Sequence, residues 1–477
     1  MWRCTEKRLQ NWAMRAEEIL CKGNDRVALL DQWENSDSRT VPRKHKRFTS
    51  RRTHSHFTPP EQFVGRVRTE HRQRPSLEQA ALYLRRPQLL RPQSYNTLCS
   101  EWTTFPGFLT PLGSSLHDSI LKIVTWNLDW RLPDPATRAT AAMRHLESLF
   151  TKRPGLLVVM LQEVCLESLE ALRNDQWVQE NFVMTDSDLP KSIHNDDVEG
   201  DSFIMRVNEA LWRPAPHFTV MLLPKTLRIL GCFRVPLVTA MGRDALIVDI
   251  PVSDEPRARK AMRLCTTHLE SLHGAYPCRF GQLAMISTLL KEPRISEHEN
   301  IAGVVGGDMS ALEFSDQFMH EKPRVELRDI WEDAPKQALP KLEPGKEDST
   351  YGRARGNTFG YQSQYPGLKR RLSKFFYTGK VDSIALSKPL VQDVTGRLGR
   401  MGIGCKTEVE AWMLQRELES TVYGRKVFTK HNEILSDIQV SRVRVRNREL
   451  LEKIRPVITK SWVSGHFGIA VGIRIRG

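Results

Sequence analysis

The chain has 477 residues, 40% of them hydrophobic and 27% charged, the balance of an ordinary globular protein, which excludes a fibrous or wholly disordered chain. Its apolar stretches, such as Leu156 to Leu161, are far shorter than the roughly 20 residues needed to cross a bilayer, so a transmembrane span is excluded. A formal net charge of +15 favours polyanionic partners such as nucleic acid or an acidic lipid surface, while eight scattered cysteines with no CxxC pair indicate neither a disulfide framework nor a structural zinc site.

The amino terminus, MWRCTEKRLQNWAMRAEEIL, has no apolar core of the secretory kind, so a nuclear or cytoplasmic protein, not a secreted one, is expected. Residues 1–118 carry 20 Lys and Arg against 12 Asp and Glu and are poor in apolar residues after Trp33, which reads as a basic leader of low order. Within it, RKHKRFTSRR at Arg43 to Arg52 suits a nuclear address or a phosphate-contacting arm, and equally a solvated linker. Two pieces, Glu6 to Leu20 and Ser76 to Leu84, have helix-compatible spacing.

From about residue 119 the texture changes. ILKIVTWNLDW (Ile120–Trp130), LVVMLQEV (Leu157–Val164), RLCTTHLES (Arg263–Ser271) and IAGVVGGDMS (Ile301–Ser310) read as buried strands that each end in polar residues. Strands that deliver Asn, Glu, His or Asp at their carboxyl ends are how α/β proteins place chemistry at the rim of a sheet. Helical spacing lies between them, clearest in CLESLEALRNDQWVQENF and RFGQLAMISTLLKE. Further on, KFFYTGKVDSIALS (Lys374–Ser387) reads as a hairpin and HFGIAVGIRIRG from His466 as a half-buried final strand. Residues 388–460 form a basic insertion containing a helix-like piece, EVEAWMLQRELES. Because the polar strand ends run from residue 127 to 466, one large domain over 119–477 is expected rather than two.

Five blocks, TWNLD (Thr125–Asp129), LQEV (Leu161–Val164), THLES (Thr267–Ser271), GDMS (Gly307–Ser310) and SGHFG (Ser464–Gly468), stand in the order of the signature blocks of the endonuclease/exonuclease/phosphatase superfamily, and the chain resembles it over residues 119–477. The pairing of TWNLD with LQEV, and HLES followed by RFGQL, is most similar to the tyrosyl-DNA phosphodiesterase 2 branch and its fungal relatives. The resemblance implies a DNase I-like, four-layer α/β sandwich: two packed mixed sheets flanked by helices. It also implies Mg2+-dependent, or Mn2+-dependent, hydrolysis of a phosphoester.

The chemistry is sensible in its own terms. Magnesium takes few protein carboxylates and binds phosphate oxygens, so one Glu at a strand end can anchor it. Water then attacks phosphorus in line while a cation, an imidazole and amide donors neutralise the charge that develops. On the resemblance, Glu163 is the metal ligand, with Asp129 near the metal's waters. Asp308 orients and deprotonates the water, supported by Ser310. Asn127 holds a phosphate oxygen or Glu163, and His466 donates to a non-bridging oxygen. His268 and Glu270 line the floor beside the substrate, with Arg279, and Gln282 near it, positioning the HLES loop.

Three departures accompany the matches. GDMS places Ser310 where the family usually has Asn, SGH places Gly465 where it has Asp, and RLSKFF places Ser373 where relatives carry a carboxylate that orients the last histidine. Asp382, in KVDSI, is the acid nearest in sequence that could take over that last task. A histidine without its orienting carboxylate loses tautomer control, at a cost on the order of 10²–10⁴ in rate. The first expected function is therefore hydrolysis at a DNA 5′ end, of the 5′-tyrosyl-DNA phosphodiesterase type, in DNA repair. The alternatives are a degenerate member that binds nucleic acid or a partner without efficient hydrolysis, and a superfamily hydrolase with another phosphoester substrate.

Overall fold

A computed structural model of the chain describes residues 87–105, 116, 119–186, 217–239, 241–253, 259–333, 356–362, 369–384, 386, 391–392, 398–422, 425–446 and 453–476. The basic run at 43–52 and the helical pieces expected at 6–20 and 76–84 lie outside the described residues.

Two parallel strand pairs organise the fold. In one sheet β4 (Leu121–Asn127) runs parallel to β5 (Leu157–Val164), with Asn127 beside Gln162. In the other, β10 (Lys260–His268) runs parallel to β12 (His298–Asp308), with His268 beside Asp308. Each pair is extended by antiparallel strands. β7 (Phe218–Pro224) and β21 (Gly468–Ile475) flank the first. β9 (Asp244–Ser253) and β14 (Ser373–Gly379) flank the second, with β8 (Gly231–Pro236) beyond β9.

The near-continuous apolar runs of β4 and β5 follow from burial on both faces. Ile123, Val158 and Met160 meet Leu246, Val248, Leu264, Val304 and Phe375 of the opposite sheet. The alternate residues Val124, Trp126, Val159 and Leu161 pack outward, against α1 (Pro135–Phe150), α2 (Leu166–Asn174) and α3 (Gln176–Asn181). On the far side α4 (Tyr276–Leu290) covers β10 and β12. The layers are helix, sheet, sheet, helix, the four-layer α/β sandwich expected from the motifs. Among the described residues no helix is long and apolar enough to cross a membrane.

Three expectations are corrected. The last part of the presumed leader is structured: β1 (Gln88–Leu89) pairs with β8, and β2 (Gln93–Asn96) with β3 (Glu101–Thr104) extends the other sheet through β6 (Phe182–Met184). The hairpin expected at 374–387 is a corner between sheets, since β14 pairs with β12 whereas β15 (Val381–Ile384) pairs with β21. Gly379 makes that corner at φ +79°, where an added Cβ would lie 2.2 Å from the Ile301 carbonyl oxygen. Finally, the helix-like piece at 408–420 belongs to β18 (Lys406–Val422), which pairs with β19 (Arg425–Leu435) and β20 (Ile454–Trp462) in a third sheet. Its alternation decides the matter, because Val409 and Ala411 are buried while Glu408 and Glu410 face water.

Gly307 lies beside Thr267 in the parallel β10–β12 ladder, and an added Cβ would lie 2.0 Å from the Thr267 carbonyl oxygen. Gly307→Ala should therefore cost about 3 kcal/mol of unfolding free energy in urea titration, because the paired β10 backbone at Thr267 cannot give way.

Lys374 faces outward from β14 and is fully buried, its ammonium making no hydrogen bond. Burial lowers its pKa from 10.5 to about 7. Between those values the unfolded chain binds more protons than the folded one, so stability rises with pH across that window, and the burial cost is fully present below it. Lys374→Met should flatten the pH 7–10 slope of the melting temperature and raise the melting temperature at pH 6.

Candidate active site

The four polar strand ends meet at one edge of the sandwich. Asn127 Nδ2 donates to Asp308 Oδ2 at 2.9 Å across the two sheets. His466 Nδ1 lies 3.5 Å and His268 Nε2 3.9 Å from the same oxygen, and His268 Nδ1 lies 3.7 Å from Glu163 Oε1. All five side chains are buried. Below them Gln162 Nε2 donates to Thr266 Oγ1 at 3.0 Å and to Thr125 Oγ1 at 2.9 Å, a second polar link between the sheets.

Sharp backbone turns aim the acids. Asp129 (φ 50°), Glu163 (φ 56°) and Ser310 (φ 46°) are all left-handed, a conformation that costs a non-glycine residue of order 1 kcal/mol and clusters at functional sites. Glu163 sits in a register break of the β5–β7 ladder, between Leu161 and Val164, and its Oε2 accepts from Trp130 N at 3.1 Å. The turn carrying Asp129 is held by Arg138, whose five N–H groups donate to the carbonyls of Leu128, Asp129, Leu132, Pro133 and Val463. The final block is tied to β4 in turn: Ser464 Oγ donates to Asn127 O at 2.6 Å, and Trp126 Nε1 donates to His466 O at 3.0 Å.

The donor set suits a divalent cation. Asp129 Oδ1 is buried without a hydrogen bond, its cationic neighbour being Arg131 Nε at 3.6 Å. Burial first, and then repulsion from Asp129, push Glu163 above its ordinary value of 4.5. Two crowded carboxylates with an unused oxygen are the arrangement a hard cation relieves. A separate trio, His320, Asp329 and Glu332, also brings ligand-type atoms within 4.8 Å of one another. Arg371 already neutralises it, with Nη1 2.7 Å from Asp329 Oδ2 and Nη2 3.0 Å from Glu332 Oε1.

Of the residues picked out from sequence, Asn127, Asp129, Glu163, His268, Asp308, Ser310 and His466 converge. Arg279 and Glu270 do not offer themselves to a substrate. Every N–H of the Arg279 guanidinium is engaged, by Asp316, Glu313 and the carbonyls of Glu270 and Leu272. Glu270 is buried behind the loop, its N–H donating to Gln282 and its carboxylate accepting from Thr239 Oγ1. These residues position loops, as Gln282 does.

Asp382 pairs with Arg476 on the surface and opposes Arg474 in the β15–β21 ladder, so it does not replace the missing carboxylate. Ser373 faces Asp308 in the β12–β14 ladder as the alignment of motifs implied, and its hydroxyl makes no hydrogen bond. The sequence reading missed Arg138, Arg243, Ser271 and His217. Arg243 Nη1 donates to His268 Nδ1 at 3.0 Å. His217 stacks on His268 at 6.1 Å between centroids, and burial holds its pKa at about 3. The signal of Arg138, Arg243 and His217 was faint, since a lone Arg or His on a helix or just before a strand carries no motif, whereas Ser271 closes the THLES block without a role of its own.

No family model matches the chain, and no curated protein matches it. Among solved structures it is similar to TDP2 from Caenorhabditis elegans, with 15% identity over 75% of each chain and a TM-score of 0.40. It is also similar to a humanised TDP2 from D. rerio, at 16% identity over 74% of this chain and 98% of that one with a TM-score of 0.41. An endonuclease/exonuclease/phosphatase family protein from Bacteroides thetaiotaomicron follows at 11% over 74% and 98%, with a TM-score of 0.38. Likenesses this distant carry no argument about what the chain does.

The crowded carboxylates give a signed expectation. An acid whose folded pKa is raised costs stability above its unfolded pKa, so the metal-free protein should lose stability as pH rises from about 4.5 toward neutral. Glu163→Gln should remove that loss, raise metal-free stability at pH 7 by on the order of 1–2 kcal/mol, and abolish any Mg2+-induced rise in melting temperature.

Proposed function

We propose that the chain is a Mg2+- or Mn2+-dependent phosphodiesterase acting at a DNA 5′ end, of the 5′-tyrosyl-DNA phosphodiesterase type, with a nuclear or cytoplasmic role in repair. The observation that supports this reading is the bond from Asn127 to Asp308, set among Glu163, His268 and His466 at one sandwich edge.

In this reading Asp308 takes a proton from a water aimed at phosphorus. Asn127 holds the carboxylate through Oδ2, so its basic lone pair keeps one direction. His466 supplies an N–H donor toward a non-bridging oxygen by turning Nε2 outward while Nδ1 faces Asp308, and His268 lines the floor beside them. Glu163 and Asp129 would hold the cation, which when bound would offset charge on the phosphate. Arg243, with the excess of Lys and Arg in the chain, favours a polyanionic ligand.

A second reading, binding without efficient turnover, is favoured by one specific feature. Ser373, opposite Asp308, leaves His466 Nδ1 with no hydrogen-bond partner, so its tautomer is weakly held.

Incubation with Mg2+ and a 5′-phosphotyrosyl oligonucleotide separates the two. The first reading expects turnover that Glu163→Ala reduces by at least about 10³-fold. A silent wild type beside an active triple variant, Ser310→Asn, Ser373→Asp and Gly465→Asp, would establish the second reading instead. Absence of both cleavage and DNA binding would remove both.

A further inference from the structure

We infer that Arg243, His268, Ser271 and Ser310 form a one-way hydrogen-bond relay that positions Asp308, taking the place of the amide that the motif GDMS lacks. The inference rests on the proposed hydrolysis, in which Asp308 is the base.

The direction of the relay follows from counting donors. An arginine can only donate, so His268 Nδ1, 3.0 Å from Arg243 Nη1, must accept. The imidazole hydrogen then resides on Nε2, which lies 3.0 Å from Ser271 Oγ and donates to it. Arg243 Nη2 donates to the same oxygen at 2.9 Å. Ser271 Oγ has now spent both lone pairs as an acceptor, so its own hydrogen goes to the nearer acceptor, Ser310 Oγ at 2.9 Å, rather than to Leu269 O at 3.4 Å. The Ser310 hydroxyl passes its hydrogen to Leu269 O at 3.1 Å, with Asp308 Oδ1 at 3.5 Å as the second acceptor within reach. No reversal is available, because the arginine at the head has no lone pair to give.

The tail of the relay is what matters for Asp308. Ser310 is left-handed, and this turn points its backbone N–H at Asp308 Oδ1, 2.8 Å away. Clamping the Ser310 hydroxyl between Ser271 and Leu269 fixes that turn, so both carboxylate oxygens of Asp308 are tied down, Oδ2 by Asn127 and Oδ1 by Ser310. An asparagine at 310 would reach further by itself. The shorter serine needs Ser271 behind it, which makes Ser271 a positioning residue.

A double-mutant cycle tests the coupling with the 5′-phosphotyrosyl oligonucleotide and Mg2+. In the wild-type background Ser271→Ala should lower kcat by about 10- to 100-fold with KM within twofold, and Ser271→Thr, which keeps the hydroxyl, should stay within about threefold. In a Ser310→Asn background the same Ser271→Ala change should cost less than about threefold. Equal losses in both backgrounds, or a change confined to KM, would overturn the relay.

A second readout needs no turnover. In the metal-free protein at fixed pH, the ring nitrogens of His268 should report a single Nε2-protonated tautomer by 15N NMR, giving way to a mixture in Arg243→Met. An unchanged single tautomer in that variant would sink the relay. A wild type that cleaves nothing yet gives the expected nitrogen shifts would instead count against the hydrolytic reading alone.

Discussion

The hydrogen bond from Asn127 to Asp308 joins the end of one parallel strand pair to the end of the other, and the site exists only because the two sheets meet there. Neither residue could reach the other if the sheets slid by one strand step. Two features set that alignment. Apolar side chains from both sheets interlock beneath, from Ile123 and Met160 on one side to Val304 and Phe375 on the other. Above them Gln162 bridges Thr125 and Thr266, so the polar part of the interface also has a fixed register. Glycine permits the closeness, since a Cβ added at Gly306 would lie 2.9 Å from the Met160 sulfur of the other sheet.

Around this bond the protein holds conformations that a free chain would abandon. Three site residues are left-handed, and two carboxylates sit close enough to raise the pKa of Glu163. The surrounding structure over-determines them. Arg138 spends all five donors on the turn at Asp129, Arg279 spends all five on the loops after β10 and β12, and Ser464 ties the last block to β4. A buried arginine whose donors are all matched is stabilising only because none is left over. These arginines are framework, whereas Asp129 and Glu163 keep unsatisfied capacity for something from outside.

Much of this was legible in the sequence, for a definite reason. Strands such as LVVMLQEV are apolar on both faces and change character abruptly at their carboxyl ends, so Asn127, Glu163, His268 and Asp308 declare themselves without coordinates. The chain order of the blocks supplied the rest of the sandwich. What stayed hidden was pairing at a distance. Val409, Trp412 and Met413 stand at a helical spacing while Val409, Ala411 and Met413 stand at an alternating one, and the flanking β19 and β20 go with the second. Gly379 looks like a hairpin turn until its two flanking strands join different sheets. Arg279 was legible as a positioning residue for the HLES loop, but its partners, Asp316 and Glu313, lie more than thirty residues away in sequence and carried no signal.

The segment just before the motif-bearing region has a consequence for how the molecule can be handled. Between Gln88 and Thr104 the backbone adds a strand to the outer edge of one sheet, at β8, and two to the outer edge of the other, at β6. Trp102 Nε1 and the Lys225 ammonium anchor this strap through the carbonyls of Arg173 and Tyr95. Cutting the chain where the recognisable motifs begin would strip both borders at once. Each would then offer a row of bare amide groups to any neighbour, an invitation to self-association that has nothing to do with chemistry at the phosphate end. The shortest well-behaved fragment should begin near residue 87, some thirty residues earlier than the motifs suggest.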